Sequence, residues 1–495
     1  MKKTYIDTAM ERIAPDLILK GGNVVDVFSG RVIKADVIIK DGIICGVGSY
    51  SGENEQDVSG KYVMPGFIDS HVHIESSMTQ PSEYAKAVMP HGITTVIADP
   101  HEITNVCGED GLEFMLKSAK NIPLDVNLML PSCVPATPFE HTGANLDAKT
   151  TQKLAPKFFG IGEMMNYPGI VSGDDETLGK LCLDIIDGHA PLLSGHELDA
   201  YTSAGIKTDH ECSVVEEMTE KISKGMYILL REGTLSLDVA KLIKGVTPYT
   251  LRRCAFCTDD RFVGEIIRDG SIDHCIRKAV SLGLNNIDAI IMATLNACEM
   301  YGMKNKGAIA PSYVADIVVA DDLNLSSISQ VYKNGKLVCE NGTALFECET
   351  VDNSKVTNTV HLPKISADFF KTDVKDKFDA IELIPESIIT KKVTVSYSDS
   401  LSKVCVIERH HNLGTKGIGF VTNYGITNGA IATSIGHDSH NVIVIGDNDS
   451  DMALAVNTLG TSGGIAVCSE GKVIASMTLD IAGLMSVKSA DEVTR

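Results

Sequence analysis

Tryptophan is absent from this 495-residue chain, and aromatic residues make up only 5% of it. Intrinsic fluorescence therefore rests on tyrosine. No uninterrupted apolar run reaches the ~18 residues of a membrane helix, which excludes a membrane span. The N-terminus, MKKTYIDTAMERIAPDLILK, carries two lysines but no apolar segment after them, so a secretory signal is not expected. Basic residues are in deficit: 44 Lys and Arg stand against 65 Asp and Glu, a formal charge of −21. Nucleic acid and anionic membranes both call for a basic surface, so neither is expected as a partner. Internal repeats and low-complexity segments are missing as well. The 13 cysteines are odd in number and follow no pattern. They read as buried thiols in a reducing, cytoplasmic compartment. Cys254 and Cys257 form a single CxxC, which without a second pair falls short of a zinc or redox site.

What is present describes a globular protein, with 44% hydrophobic and 22% charged residues. The length predicts two or three domains. Residues 17–63 alternate as short strands punctuated by Gly, Asn and Asp, and a similar block returns at 313–338. Both belong to one small β-sandwich domain built from the two flanks, 1–63 plus 301–345. Between them, over 64–300, short apolar runs alternate with helical stretches such as PSEYAKAVMP and SVVEEMTEKISK. The runs are GFID, TTVIAD, VNLMLPS, FGIGE, IIDGHAP, IKTDHE, YILLREG and CAFCTDD. Eight such units predict an α/β fold, a (β/α)8 TIM barrel whose working face is the C-terminal end of its strands. Residues 346–389 read as a linker or edge region. Residues 390–495 form an additional C-terminal β-rich domain of α+β type, with a helix at SDMALAVNTLG.

The strand ends carry the chemistry. His71 and His73 lie two apart, so a strand turns both toward one face. Glu163 ends the fourth run, His189 follows the fifth, His210 ends the sixth and Asp259 ends the eighth. Each has a plainer reading alone. HxH is often incidental, His189 or His210 suits a satisfied histidine, Asp259 a helix cap, and Glu163 a buried ion pair. Coincidence at successive strand ends is much harder to accept. One metal rarely takes six such ligands and keeps an open position, whereas two metals sharing a bridging carboxylate use them all. Asp99, His101 and Glu102 end the second run, where Asp99 and His101 suit catalysis and support of the metal ligands equally. Arg231, Glu232 and Asp260 lie on the same rim as candidate substrate contacts, with a mutual ion pair the plain alternative for Arg231 and Glu232. Glu75 and Ser76 shape the first loop. The segment HDSHN, 437–441, fits either a second metal site or a plain turn. VIVIGDNDSDMAL is like a phosphatase aspartate motif, but too little chain follows it for such a domain.

These residues also carry a family resemblance. PGFIDSHVHIESSM, DPHEITNVCG, FGIGEMMNYPG, GHAPLLSG, TDHECS, REGT, CTDDR, RHHNLGTKGIGFV and SIGHDSHNVIVIGDND resemble the amidohydrolase superfamily and, more narrowly, the prokaryotic adenine deaminases. The resemblance runs over about residues 20 to 480. Many binuclear amidohydrolases place a carboxylated lysine at the end of the fourth strand. Here Glu163 stands there, as in the adenine deaminases, which disfavours a hydantoinase- or dihydroorotase-like cyclic-amide hydrolase.

The resemblance implies a barrel of amidohydrolase type, holding two divalent metal ions, Mn2+ first, Fe2+ next and Zn2+ last. It implies attack of a metal-bridging hydroxide on C6 of adenine, giving hypoxanthine and ammonia in purine salvage. Asp259 then serves as ligand and proton shuttle, Glu163 as the bridge, and Asp99 and His101 as further catalytic groups. It places His437 of the C-terminal domain over the barrel mouth, as a substrate contact. The expected partner is the small molecule adenine, and the chain is expected to be a homo-oligomer, dimer or higher.

Overall fold

The computed structural model describes residues 2–373, 376–385, 389–396 and 401–495. Its centre is a set of eight short strands: β1 (Phe67–Val72), β2 (Ile93–Ala98), β3 (Asp125–Leu130), β4 (Gly160–Met164), β5 (Ile186–Gly188), β6 (Thr208–Asp209), β7 (Tyr227–Arg231) and β8 (Cys254–Cys257). β1, β2, β4, β5, β6 and β8 are buried along their whole length. β2 (ITTVIA) and β8 (CAFC) accordingly read as near-continuous runs without alternation, the pattern of parallel strands covered on both faces. Helices lie between them, among them Pro81–Val88, which starts on proline, and His101–Lys120, which begins directly after Asp99-Pro100.

The eight expected strands are present, but they do not close into one ring. β1 to β5 pair in parallel in the order 5-4-3-2-1, and β6, β7 and β8 form a second parallel sheet. At the seam between β8 and β1, Asp259 bridges Val72; its N–H donates to the His71 carbonyl at 3.0 Å, and its own carbonyl accepts from the His73 N–H at 3.2 Å. At the seam between β5 and β6 no strand ladder forms among the described residues. Side chains replace it. The Gly188 N–H donates to Thr208 Oγ1 at 2.9 Å, and the Ala190 N–H donates to Asp209 Oδ1 at 2.8 Å. The backbones are nonetheless in contact, since a Cβ on Gly188 would fall 2.0 Å from the Thr208 carbonyl oxygen. Both strands are short, three and two residues, and each forms a ladder only with its other neighbour, β5 with β4 and β6 with β7.

The strands of the two flanks are hydrogen-bonded into one sheet of nine. Tyr62–Pro65 pairs antiparallel with Ile317–Ala320 and so joins the two ends of the chain. The C-terminal domain is an eight-stranded, mostly antiparallel sheet covered by the helix Asp449–Thr458. Its core includes Ala430, Val442, Val444, Met452 and Val456. The strand Lys377–Leu383, inside the stretch read as linker, pairs with Thr390–Ser396 in this sheet. The aspartates of the phosphatase-like motif are structural. Asp447 accepts the Gly429 N–H at 2.9 Å, and Asp451 accepts the Gly471 N–H at 2.8 Å. Among the described residues no helix is long and apolar enough to cross a membrane.

Candidate metal centre

β1 delivers the first two imidazoles. Alternation along FIDSHV turns Asp69 and His71 to one side, and His73, one residue past the strand, continues that side. The Nε2 atoms of His71 and His73 lie 3.2 Å apart. Each ring is held from behind: His73 Nδ1 lies 2.8 Å from the Asp99 carbonyl, and His71 Nδ1 lies 3.4 Å from Asp187 Oδ2. A partner there fixes the tautomer and aims Nε2 forward.

Glu163, on β4, is the centre of the cluster. Its Oε2 lies 2.6 Å from His189 Nδ1 and 3.2 Å from His210 Nε2, and its Oε1 lies 3.1 Å from His101 Nδ1 and 3.4 Å from His73 Nε2. Burial works to raise its pKa, yet the imidazoles around it, His189 foremost, hold it well below the usual carboxylate range. Its backbone N–H donates to Asp99 Oδ2 at 2.9 Å. Gly162 permits that contact, because a Cβ there would meet the same oxygen at 2.1 Å.

Asp259 follows β8 with φ at 58°, in the left-handed region that residues with a Cβ seldom adopt. The two backbone hydrogen bonds to β1 hold it there. Its Oδ1 lies 3.1 Å from His73 Nε2 and 3.6 Å from His71 Nε2, while Oδ2 accepts from Arg231 Nη1 at 2.8 Å. Burial would raise this carboxyl as well; the His73 hydrogen bond and the His210 and Arg231 charges keep it well below its ordinary value. His210 stacks on His71 with ring centres 4.2 Å apart. Several triads result, among them His71–His73–Glu163, His71–His210–Asp259, Glu163–His189–His210, His73–His101–Glu102 and His73–Asp259–Asp260. Within each, one ligand atom per residue lies within 4.8 Å of the others.

The rim residues divide. Arg231 faces the cluster and is fully engaged by Asp259, Glu211 and Asp238. Glu232, the next residue, pairs with Lys278, so both residues are held in ion pairs, though not with each other. Successive residues of a strand point to opposite faces, and that separates them. Ser76 Oγ lies 2.5 Å from both Asp260 Oδ1 and Glu102 Oε1, and its single O–H can donate to one of them at a time. His437, from the C-terminal domain, lies 3.9 Å from Glu102 Oε1 through its Nδ1. Asn441, from the same segment, donates to the His141 carbonyl at 2.8 Å. The C-terminal domain therefore touches the rim of the eight-strand core.

Two carboxylates close to the cluster escaped the sequence reading. Asp187 backs His71 and also accepts from Tyr301 Oη at 2.9 Å. Glu211 pairs with Arg231 and stands 3.6 Å from His210 Nε2. Asp187 lies two residues before His189, the spacing that marks a shared strand face. Glu211 was hidden because it lies past the end of β6, where no strand alternation says which way it faces. The CxxC does not make a site: Cys254 and Cys257 sit in separate apolar clusters, and burial pushes the Cys254 thiol up to about 12.

With this geometry in hand, the likeness to known proteins is informative. Residues 62–338 match the model of the amidohydrolase family, and residues 383–495 match that of the adenine deaminase C-terminal domain. The chain is 47% identical to an adenine deaminase of Clostridium acetobutylicum, over 98% of this chain and 89% of that one. It is 44% identical to adenine deaminases of Nitratidesulfovibrio vulgaris (99% of this chain, 88% of that one) and Halalkalibacterium halodurans (97% and 86%). Among solved structures, a β-aspartyl dipeptidase from Fervidobacterium islandicum is similar in fold, with TM-score 0.50 and 20% identity over 68% of this chain and 99% of that one. Enamidase is similar at TM-score 0.50 and 18% identity, over 66% and 96%.

Proposed function

The chain belongs to the adenine deaminase family, and on that premise we propose that it hydrolyses adenine to hypoxanthine and ammonia, with water entering at C6. The observation that carries this reading at the site is Glu163, a buried carboxylate in contact with four imidazoles, at the strand end where related hydrolases carry a modified lysine.

His71, His73, Glu163, His189, His210 and Asp259 are the residues that would hold two divalent cations, with Glu163 shared. The set fits them: nitrogen and oxygen donors converge in overlapping triads and no thiolate is among them. That donor chemistry suits manganese, iron or zinc, and manganese is our first assignment. When bound, two such ions lower the pKa of a water molecule so that it becomes a nucleophile near neutral pH.

The chain's own groups manage geometry and protons. Asp259 collects a proton from the attacking water at Oδ1, while Arg231 fixes the other oxygen. Asp99 orients Glu163 by accepting its backbone N–H, and His101 helps to keep its carboxylate ionised. Glu102, Asp260 and His437 offer acceptors and an imidazole to the edge of the purine. Arg231 and Glu232, both first read as substrate contacts, are taken up by ion pairs and support the rim instead. The same reading divides the chain into 1–63 with 301–345, 64–300, 346–389, whose strand Lys377–Leu383 joins the C-terminal sheet, and 390–495, and makes it a cytoplasmic homo-oligomer, dimer or higher.

The test is ammonia release from adenine by Mn2+-loaded protein, with adenosine, hydantoin and dihydrouracil beside it. Release from adenine alone is expected. Ring opening of a cyclic amide without deamination would contradict the reading.

A further inference from the structure

Residues 131–147, which follow β3, form a loop pinned at both limbs to groups around the site. On the outgoing limb, Ser132 Oγ donates to the Glu163 carbonyl at 2.6 Å, and Cys133 Sγ lies 3.5 Å from His101 Nδ1. The Leu146 N–H donates to the Val134 carbonyl at 2.9 Å and closes the loop at its base. On the return limb, Asn441 holds the His141 carbonyl and the His411 ring N–H holds that of Thr142 at 3.0 Å. Thr142 Oγ1 also donates to the Asn105 carbonyl, at 2.8 Å. Between the limbs the tip carries Phe139, 90% exposed, more than any other large apolar side chain among the described residues.

A single exposed phenylalanine needs no explanation in general. This one is singled out by its place. Two residues of chain span at most about 7 Å, so Phe139 stays within that reach of His141, where Asn441 anchors the loop. Asn441 adjoins His440, whose ring lies 5.1 Å from that of His437, the residue beside Glu102. Next to Phe139, Glu140 Oε2 is out of water with no hydrogen-bond partner among the described residues. That oxygen is free of protein partners among the described residues, so a donor from water or from a ligand can take it.

We propose that Phe139 is a specificity-determining residue whose ring covers one face of the bound purine, with Glu140 beside it accepting a purine N–H. The proposal rests on adenine as substrate. A flat heteroaromatic base offers a π face to stack on, whereas a saturated cyclic amide does not, so the loop selects for the former.

The chain holds no tryptophan, so Phe139→Trp gives a single reporter at this position. Its emission is expected to shift or quench on saturation with hypoxanthine, which binds without turnover. Phe139→Ala is expected to raise KM for adenine roughly tenfold, the scale of one lost base–aromatic stack, with kcat within about twofold. Phe139→Leu, apolar but without a π face, should behave like alanine. Wild-type ammonia release, run alongside, separates the two failures. Turnover by wild type, with unmoved indole emission in Phe139→Trp and unchanged KM in Phe139→Ala, overturns the covering role alone. Absence of wild-type turnover overturns the functional reading, and the purine-covering role with it.

Discussion

The two seams of the eight-strand core do one task by opposite means. At the β8–β1 seam, backbone hydrogen bonds lock Asp259 against His71 and His73, and Asp69 accepts both the Thr258 N–H at 3.0 Å and the Thr258 hydroxyl at 2.5 Å. At the β5–β6 seam the ladder is absent, and Asp209 takes its place. One oxygen accepts the Ala190 N–H, and the other accepts the buried Lys221 ammonium at 2.9 Å. Lys221 is also held by Glu217 at 2.7 Å and donates to the Ala190 carbonyl at 2.6 Å. The first seam places His71, His73 and Asp259; the second places His189 and His210; Glu163, between them, touches imidazoles from both sides. Position can thus be set by backbone pairing or by a buried ion pair, and the two differ in what breaks them.

The largest effect is expected where the seams meet. Glu163→Gln should lower kcat/KM by roughly 1000-fold while the far-UV circular dichroism stays that of a folded chain, because one oxygen pair serves both sides. Retention of most activity would remove Glu163 from the bridging role. Next comes the ion-paired seam. Asp209→Asn leaves a buried ammonium short of its counter-charge and should cost about 3–5 kcal/mol in denaturant unfolding. The backbone-locked seam should suffer less: Asp69→Asn loses hydrogen bonds from neutral donors only, worth about 1–3 kcal/mol. If Asp69→Asn proved the more damaging, the contrast between the seams would be reversed. The smallest effect lies at the rim. His437→Ala should raise KM about fivefold with kcat within about twofold, as for a contact made equally in ground and transition states.

Much of this core was legible before the structure, and the residues show why. Fully buried parallel strands announce themselves as apolar runs, and each run here ends on a side chain that the fold turns inward. His71, His73, Glu163, His189, His210 and Asp259 could all be named from that rule. Pairing between strands leaves no such mark. Periodicity reports burial, so the missing β5–β6 ladder was invisible, and so was the order in which the strands of the two flanks pair. Lys377–Leu383 was hidden for the opposite reason: one residue of its seven is buried, too weak a pattern to read as a strand. Arg231 and Glu232 read as substrate contacts from their place on the rim, because spacing does not show the carboxylates and the lysine that take them up. Asp187 could have been found from its spacing to His189. Glu211 depends on where Arg231 reaches, which no spacing states.

The central claim is that both seams converge on one two-metal centre through Glu163. It is tested most directly by titrating metal-free protein with Mn2+ while following ammonia release from adenine. Activity should rise with added metal and level off at two equivalents per chain. Full activity at one equivalent, or activity in the metal-free protein, would contradict it.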